Sequence, residues 1–163
     1  MFYTIMNEFI ADLVGRYAGM SEKPEIGRHI YISRHPQRQS TLNRRHTMRN
    51  EAEIMQIAQE NVFTIVCPEQ MLWHDQIRVF NNAKSIVGEE GSAMHNILFS
   101  PSGSVVATVP QGTHVQTSLS SLKAHSIIFL PAINIHDSNE EISYTIDRTR
   151  AAEMFHEIIA RTD

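Results

Sequence analysis

Between Arg28 and Pro110, short apolar runs rich in branched residues alternate with longer runs whose apolar residues recur at helical spacing. No other feature narrows the possible folds as much. The run from Val62 to Val66 is apolar except for Thr64, as expected for a strand buried on both faces. Parallel strands need crossover connections, and helices supply them. Strands and helices alternate about five times along the chain. The expected fold is therefore α/β, a three-layer Rossmann-like sandwich with a mostly parallel sheet. Ligands of such sheets sit outside the carboxyl ends of the strands. That rule gathers Ser33–Arg34, Cys67–Glu69, Gly88–Ser92 and Pro110–Gly112 on one rim.

The spacing of Phe2, Ile5, Met6, Phe9, Ile10, Leu13, Val14 and Tyr17 predicts an amphipathic helix. Its apolar stripe fits either the domain itself or a partner. The expected organisation is an N-terminal helix and linker over residues 1–20 and one domain over 21–163. A strand from His29 to Ser33 leads into a basic loop from Arg34 to Arg49, which carries Arg38, Arg44 and Arg45. Asn50 followed by Glu53 has the form of a capping box. Pro68 and Glu69 open a helix with Trp73, Ile77 and Phe80 on one side. A strand over 84–87, a turn from Gly88 to Gly91, a helix over 92–99 and a strand over 104–109 follow. Residues 115–123 fit a short helix or an irregular connection, 126–130 a strand, 131–141 a loop and 142–145 a last strand. Asp147 caps a closing helix whose stripe is Ala151, Met154, Phe155, Ile158 and Ile159.

With 163 residues, the chain is long enough for one domain with a sizeable core. A net charge of -4 gives no bulk attraction to nucleic acid or anionic lipid. The single cysteine, Cys67, excludes an internal disulfide and fits a reducing compartment. No apolar run approaches the roughly 20 residues that span a bilayer. No signal peptide is evident, so the expected place is the cytoplasm, with peripheral attachment to an inner membrane as an option. No Gly-x-Gly-x-x-Gly follows the first strand, and there is no Walker A sequence. Aromatic residues do not interleave with the basic loop, which argues against nucleic-acid binding. The nine histidines fall in no compact ligand spacing, and Cys-x-x-Cys and Asp-x-Asp are absent, so no metal and no cofactor are expected.

Five short motifs stand in order: Ile-Ser-Arg (32–34) before the basic loop, Asn-Glu (50–51), Cys-Pro-Glu (67–69), Gln-Ile (76–77), and IVGEEGSAMHN (86–96). Together they resemble glycosyltransferase family 61, which includes capsular polysaccharide biosynthesis proteins and eukaryotic enzymes acting on xylan and glycoproteins. The resemblance spans Arg28 to Pro110, and the segment TIDRTR (145–150) is similar to the family's end. It implies a GT-B-like enzyme with two Rossmann-like halves, a nucleotide-sugar donor, a glycan acceptor and inverting transfer. It further implies that this chain is mainly the C-terminal, donor-binding half. An upstream domain, a second subunit, or a homodimer through residues 2–17 would complete it. Many members carry His-Gly-Ala or His-Gly-Ser in the glycine turn. Glu90 stands in place of that histidine here, which leaves the role of the position open.

Several residues are candidates for the chemistry. Gly88 and Gly91 permit close approach, and Ser92 with the amides of Ala93 and Met94 would start a helix that attracts phosphate. Asn96 lies one turn on, on the face of Ser92. An ordinary serine-capped turn is the alternative. Arg34, at a strand end, is placed to neutralise the diphosphate as it leaves. Glu51 serves either as a first-turn carboxylate or, facing the cleft, as a contact to a basic-loop residue or sugar hydroxyl, and Glu69 either complements a helix dipole or holds ribose or sugar hydroxyls. Gln76 suits a structural hydrogen bond, and Trp73 suits the core more than a base-stacking platform. Glu90 and His95 are the candidate bases for the acceptor hydroxyl. A non-catalytic nucleotide-sugar-binding module is the alternative to a transferase.

Overall fold

The structure, a computed structural model, describes residues 2–18, 26–34, 46–110, 114–138 and 142–162. The chain opens with helix α1 (Phe2–Ala18) and strand β1 (His29–Ile32). Next come β2 (His46–Met48), α2 (Glu51–Glu60), β3 (Thr64–Val66) and, after a 3-10 turn at Pro68–Gln70, α3 (Trp73–Asn82). Strand β4 (Ser85–Glu89), a 3-10 helix (Ser92–Phe99), β5 (Val105–Val109) and α4 (His114–Leu122) follow. Strands β6 (Ser126–Phe129), β7 (Ile133–Asp137) and β8 (Ile142–Thr145) precede the closing helix α5 (Arg148–Thr162).

Five strands form an all-parallel sheet in the order β3-β1-β4-β5-β6. Successive side chains on a strand face opposite sides, which splits the core into two layers. On one side Ile30, Ile32, Val66, Ile86 and Val106 pack with α1, α3 and the 3-10 helix. On the other, Tyr31, Val87, Val105, Ala107 and Val109 pack with α2 and α5. Phe155 anchors that second layer, fully buried, with its ring edge-on to Phe63 at 4.9 Å. The expected stripe of α5 is the buried one, and the Asp147 carboxylate accepts the Arg150 N–H at 2.9 Å. This is the Rossmann-like sandwich the periodicity predicts.

Helix α1 packs on the domain through Ile10, Leu13, Val14 and Tyr17, against α3 and the 3-10 helix. Its outer residues Ile5 and Phe9 remain 58% and 57% exposed.

Several expectations need correction. The run 62–66 is not a strand buried on both faces: β3 covers only Thr64–Val66 at the sheet edge, with Thr64 and Ile65 half-buried, and Val62 is exposed. The loop expected over 34–49 ends in strand β2, and Pro68 and Glu69 open a separate 3-10 turn, with α3 starting only at Trp73. The stretch 131–141 contains strand β7, which pairs antiparallel with β8; β8 in turn pairs parallel with β2 to make a second, three-stranded sheet. The capping box at Asn50 does not form. Its side chain instead grips the distant Ile146, donating to the carbonyl at 2.8 Å and accepting the N–H at 3.0 Å. Two good long-range bonds to backbone outweigh one local cap, and they tie the start of α2 to the end of β8.

His125, between α4 and β6, makes stability pH-dependent. Ser100 donates its hydroxyl to the Ile97 carbonyl at 2.7 Å, and His125 Nε2 lies 3.2 Å from the same carbonyl. Nε2 is therefore the donor, and Nδ1 is buried without a partner. A second proton would sit where no acceptor is. Burial pushes the pKa below 6.5; the Ile97 carbonyl opposes that shift and the Lys123 charge adds to it. The unfolded chain then takes up the proton at higher pH than the folded one. Stability should be complete above about pH 6.5 and fall as pH drops through the lower folded value. Urea denaturation of His125→Gln across that window should show a flatter pH slope; an unchanged slope would acquit this residue.

Candidate functional site

Counted along the chain, the five parallel strands run in the order 2-1-3-4-5. The chain leaves β1 toward β3 on one side and returns to β4 on the other. Crossovers flanking such a reversal lie on opposite faces, so a crevice opens outside the carboxyl ends of the two central strands. Ser33–Arg34 follows β1, and Glu90–Gly91–Ser92 follows β4.

Arg34 is held from both ends. Its main-chain N–H donates to Glu51 Oε1 at 3.0 Å, and the Ser33 hydroxyl donates to the same oxygen at 3.1 Å. Glu51 is 2% exposed, in the first turn of α2, so its carboxylate fastens the end of β1 from within. At the far end, Arg34 Nη1 donates to the Glu90 carbonyl at 3.0 Å. The guanidinium lies against Gly91, where a Cβ would come within 2.9 Å of Nη1 and 3.2 Å of Cζ. Gly91 also has φ +157°, which side-chain-bearing residues rarely adopt. A hydrogen in place of a side chain thus lets the arginine reach the turn. One of five guanidinium donors is engaged there, which leaves a cation and further N–H groups at the crevice.

The helix beyond Gly91 is 3-10, not α. Its first bond runs from the Met94 N–H to the Gly91 carbonyl at 3.0 Å, so the Met94 amide is not among the free ones. The amides of Ser92 and Ala93 precede that bond and belong to the orphan set that every helix start carries. Gly91, not Ser92, is the N-cap residue, so the serine-capped turn does not form, and Ser92 is exposed. Gly88 lies inside β4 rather than in the turn. A Cβ there would meet Met94 Sδ at 2.7 Å and Ile32 Cβ at 2.9 Å. Its bare backbone lets the 3-10 helix sit close on the sheet.

Glu69, Ser92, Ala93 and Asn96 share one cleft of about 260 Å³, with Trp73 and Gln76 in its wall. Gln76 Nε2 donates to the carbonyls of Pro68 at 2.8 Å and Met71 at 3.2 Å, so its oxygen must face the other way. That oxygen accepts from Asn96 Nδ2 at 2.9 Å. The network fixes Asn96 with its nitrogen toward Gln76 and its Oδ1 turned away. Trp73 requires correction. Ile77 and Phe80 of the same stripe are fully buried, but Trp73 is 52% exposed at the start of α3, beyond the edge of the core.

Glu90 is half-buried, with its N–H bonded to the Val109 carbonyl at 2.9 Å and its own carbonyl bonded to Arg34. His95 is exposed on the 3-10 helix, outside the wall of the cleft. Glu89 was missed by sequence reasoning. It points to the opposite face from Gly88, is 2% exposed, and accepts a hydrogen bond from the Tyr144 hydroxyl on β8. A charged residue closing an otherwise apolar strand was the available signal. Cys67 follows β3, and its thiol is pushed up by burial and then by Glu69, with Glu51 adding and a Ser33 hydrogen bond opposing. It stays protonated and is a poor nucleophile. Arg38, Arg44 and Arg45 lie outside the described residues, as do Gln111 and Gly112 of the expected rim. Arg49 donates through Nε to Ser143 at 3.0 Å, a bond within the second sheet's surroundings. A wider depression of about 490 Å³ between α2 and α5 touches none of the strand ends.

A family profile described as Glycosyltransferase 61 matches residues 1–107, which is about two thirds of the 163. The chain belongs to glycosyltransferase family 61. The matched stretch takes in α1 as well as the crevice between β1 and β4, and so begins well before the Arg28–Pro110 window of the motifs. It ends at Ala107, and the TIDRTR segment of this family 61 protein lies beyond it. No curated protein matches the chain. Membership implies a sugar donor and an acceptor. Among the described residues, no helix is long and apolar enough to cross a membrane.

Proposed function

We propose that the crevice between β1 and β4 binds the diphosphate of a nucleotide-sugar donor for inverting transfer to a hydroxyl of a glycan or capsule-type polysaccharide. The observation that carries this reading is the Arg34 guanidinium packed on Gly91, with Nη1 bonded to the Glu90 carbonyl, at the reversal of strand order. The phosphate oxygens meet that cation on one side and the Ser92 hydroxyl and first-turn amides on the other. The acceptor oxygen attacks the anomeric carbon from the face opposite the diphosphate. The bond from that carbon to the phosphate oxygen breaks, its electron pair stays on the nucleoside diphosphate, and the acceptor proton passes to a base. Glu90 is the first candidate base and His95 the second. Glu51 acts here as a positioning residue for Arg34. The acceptor side comes from an upstream domain, a second subunit, or another copy meeting the exposed Ile5 and Phe9 of α1. The place of action is the cytoplasm, with peripheral attachment to an inner membrane as the variant. A non-catalytic binding subunit is the second reading, favoured by His95 facing solvent outside the cleft. Recovery of transfer on adding an upstream half would decide for the transferase.

The reading needs neither metal nor cofactor. Calorimetric titration with UDP, GDP and CDP in EDTA should give saturable binding of one of them, unchanged by added Mg²⁺. Ser92→Ala should weaken that binding about 10-fold, the lower end of what a hydrogen bond to a charged group is worth. No binding of any of the three would refute the site, and binding only with Mg²⁺ would refute its metal independence.

A further inference from the structure

The cleft beside the Ser92-headed helix has a composition that a diphosphate does not explain. Trp73 is a large aromatic residue left 52% exposed, although Ile77 and Phe80 on its own helix are fully buried. Phe99 props it from one side, with ring centroids 5.3 Å apart and planes at 87°. An edge-to-face contact of this kind holds an indole in place without covering both its faces. Apart from the Ser92 and Ala93 donors at the phosphate end, the polar groups lining the cleft are acceptors: the exposed Glu69 carboxylate and Asn96 Oδ1, whose orientation the Gln76 network fixes. Acceptors repel phosphate and suit hydroxyl or ring N–H donors. The volume, about 260 Å³, falls just short of the roughly 300 Å³ where drug-sized pockets begin, so it suits one moiety of a larger ligand.

We infer that this cleft is the nucleoside subsite of the donor, with Trp73 as the stacking platform for the base and Glu69 and Asn96 accepting from ribose hydroxyls or the base edge. The inference rests on the diphosphate reading above, because Ser92 and Ala93 line both places and set the phosphate next to the ribose. It makes Trp73 a specificity-determining residue: every base has a face to stack, and the two acceptors select which donors fit.

Trp73 is the only tryptophan in the chain, so its fluorescence reports on the cleft alone. Titration with the nucleoside diphosphate that binds should quench or shift that emission in parallel with the calorimetric isotherm. Inorganic pyrophosphate should bind without comparable quenching. Trp73→Ala should lose about 5- to 150-fold in affinity for the nucleoside diphosphate, the range of one base–aromatic stack, and keep its affinity for pyrophosphate. Trp73→Phe should recover much of the loss. Nucleoside diphosphate binding with no change in emission and equal affinity in Trp73→Ala would overturn the stacking assignment and leave the diphosphate site standing. Failure of both pyrophosphate and nucleoside diphosphates to bind would overturn both.

Discussion

Arg34→Ala is expected to lower affinity for the nucleoside diphosphate about 10- to 150-fold, since a hydrogen bond to a charged group is worth about 1.5–3 kcal/mol. The fold should survive. The bond that fastens Arg34 to Glu51 is made by the main-chain N–H, which alanine keeps, and the Ser33 hydroxyl still reaches the same carboxylate. Arg34→Lys should recover little, because an ammonium lacks the planar fork that meets two oxygens while also bonding the Glu90 carbonyl. Affinity for the nucleoside without phosphates should not move, which separates loss of charge recognition from collapse of the neighbouring cleft. Calorimetry on the variant with both ligands checks this. Equal diphosphate affinity in Arg34→Ala and the natural chain would remove the arginine from the site.

Gly88→Ala should cost more in stability than any other single methyl group placed near the crevice. The added carbon would stand 2.7 Å from Met94 Sδ, 2.9 Å from Ile32 Cβ and 3.3 Å from the Ile32 carbonyl oxygen. The sulfur can yield. The neighbouring strand cannot, because Ile32 pairs with Gly88 in the centre of the sheet. Overpacking of this kind costs about 1–3 kcal/mol. At about 2–4 °C per kcal/mol for a chain of this size, the melting temperature should fall by roughly 2–12 °C. Displacement of Met94 would also tilt the 3-10 helix and with it Ser92, so donor affinity should drop in the same variant at temperatures where it is still folded. A melting temperature within a degree of the natural chain would show that the helix does not need the bare backbone at this position.

The parallel sheet and its rim could be read from the residues because each buried strand is a short apolar run and each strand end is marked by polar or glycine residues. Arg34 and the Gly91–Ser92 turn come together because both close central strands, and strand ends are what periodicity reports best. The second sheet was hidden for a physical reason. All five residues of β7 are exposed, Asn134 has φ +50°, and the pairing with β8 shifts register, so no alternation marks it. Trp73 misled because its spacing with Ile77 and Phe80 is that of a core stripe, and spacing does not say where a helix overhangs the layer beneath it. Asn50 misled because a local capping pattern carries no information about Ile146, which arrives from the far end of the chain. Glu89 passed unnoticed for the same reason: its partner Tyr144 is 55 residues away.

The hydrogen bond between Tyr144 and Glu89 bears on anyone who would trim the gene to its recognisable stretch. A chain stopped at Ala107 would be cut in the middle of β5, and its Glu89 would lose the phenol that meets it. The outer strand, the small sheet and the Phe155 anchor would go as well. What a profile detects and what can stand alone as a folded body are different lengths of this polypeptide, and any excised piece meant for crystallisation has to run through the last turn of α5.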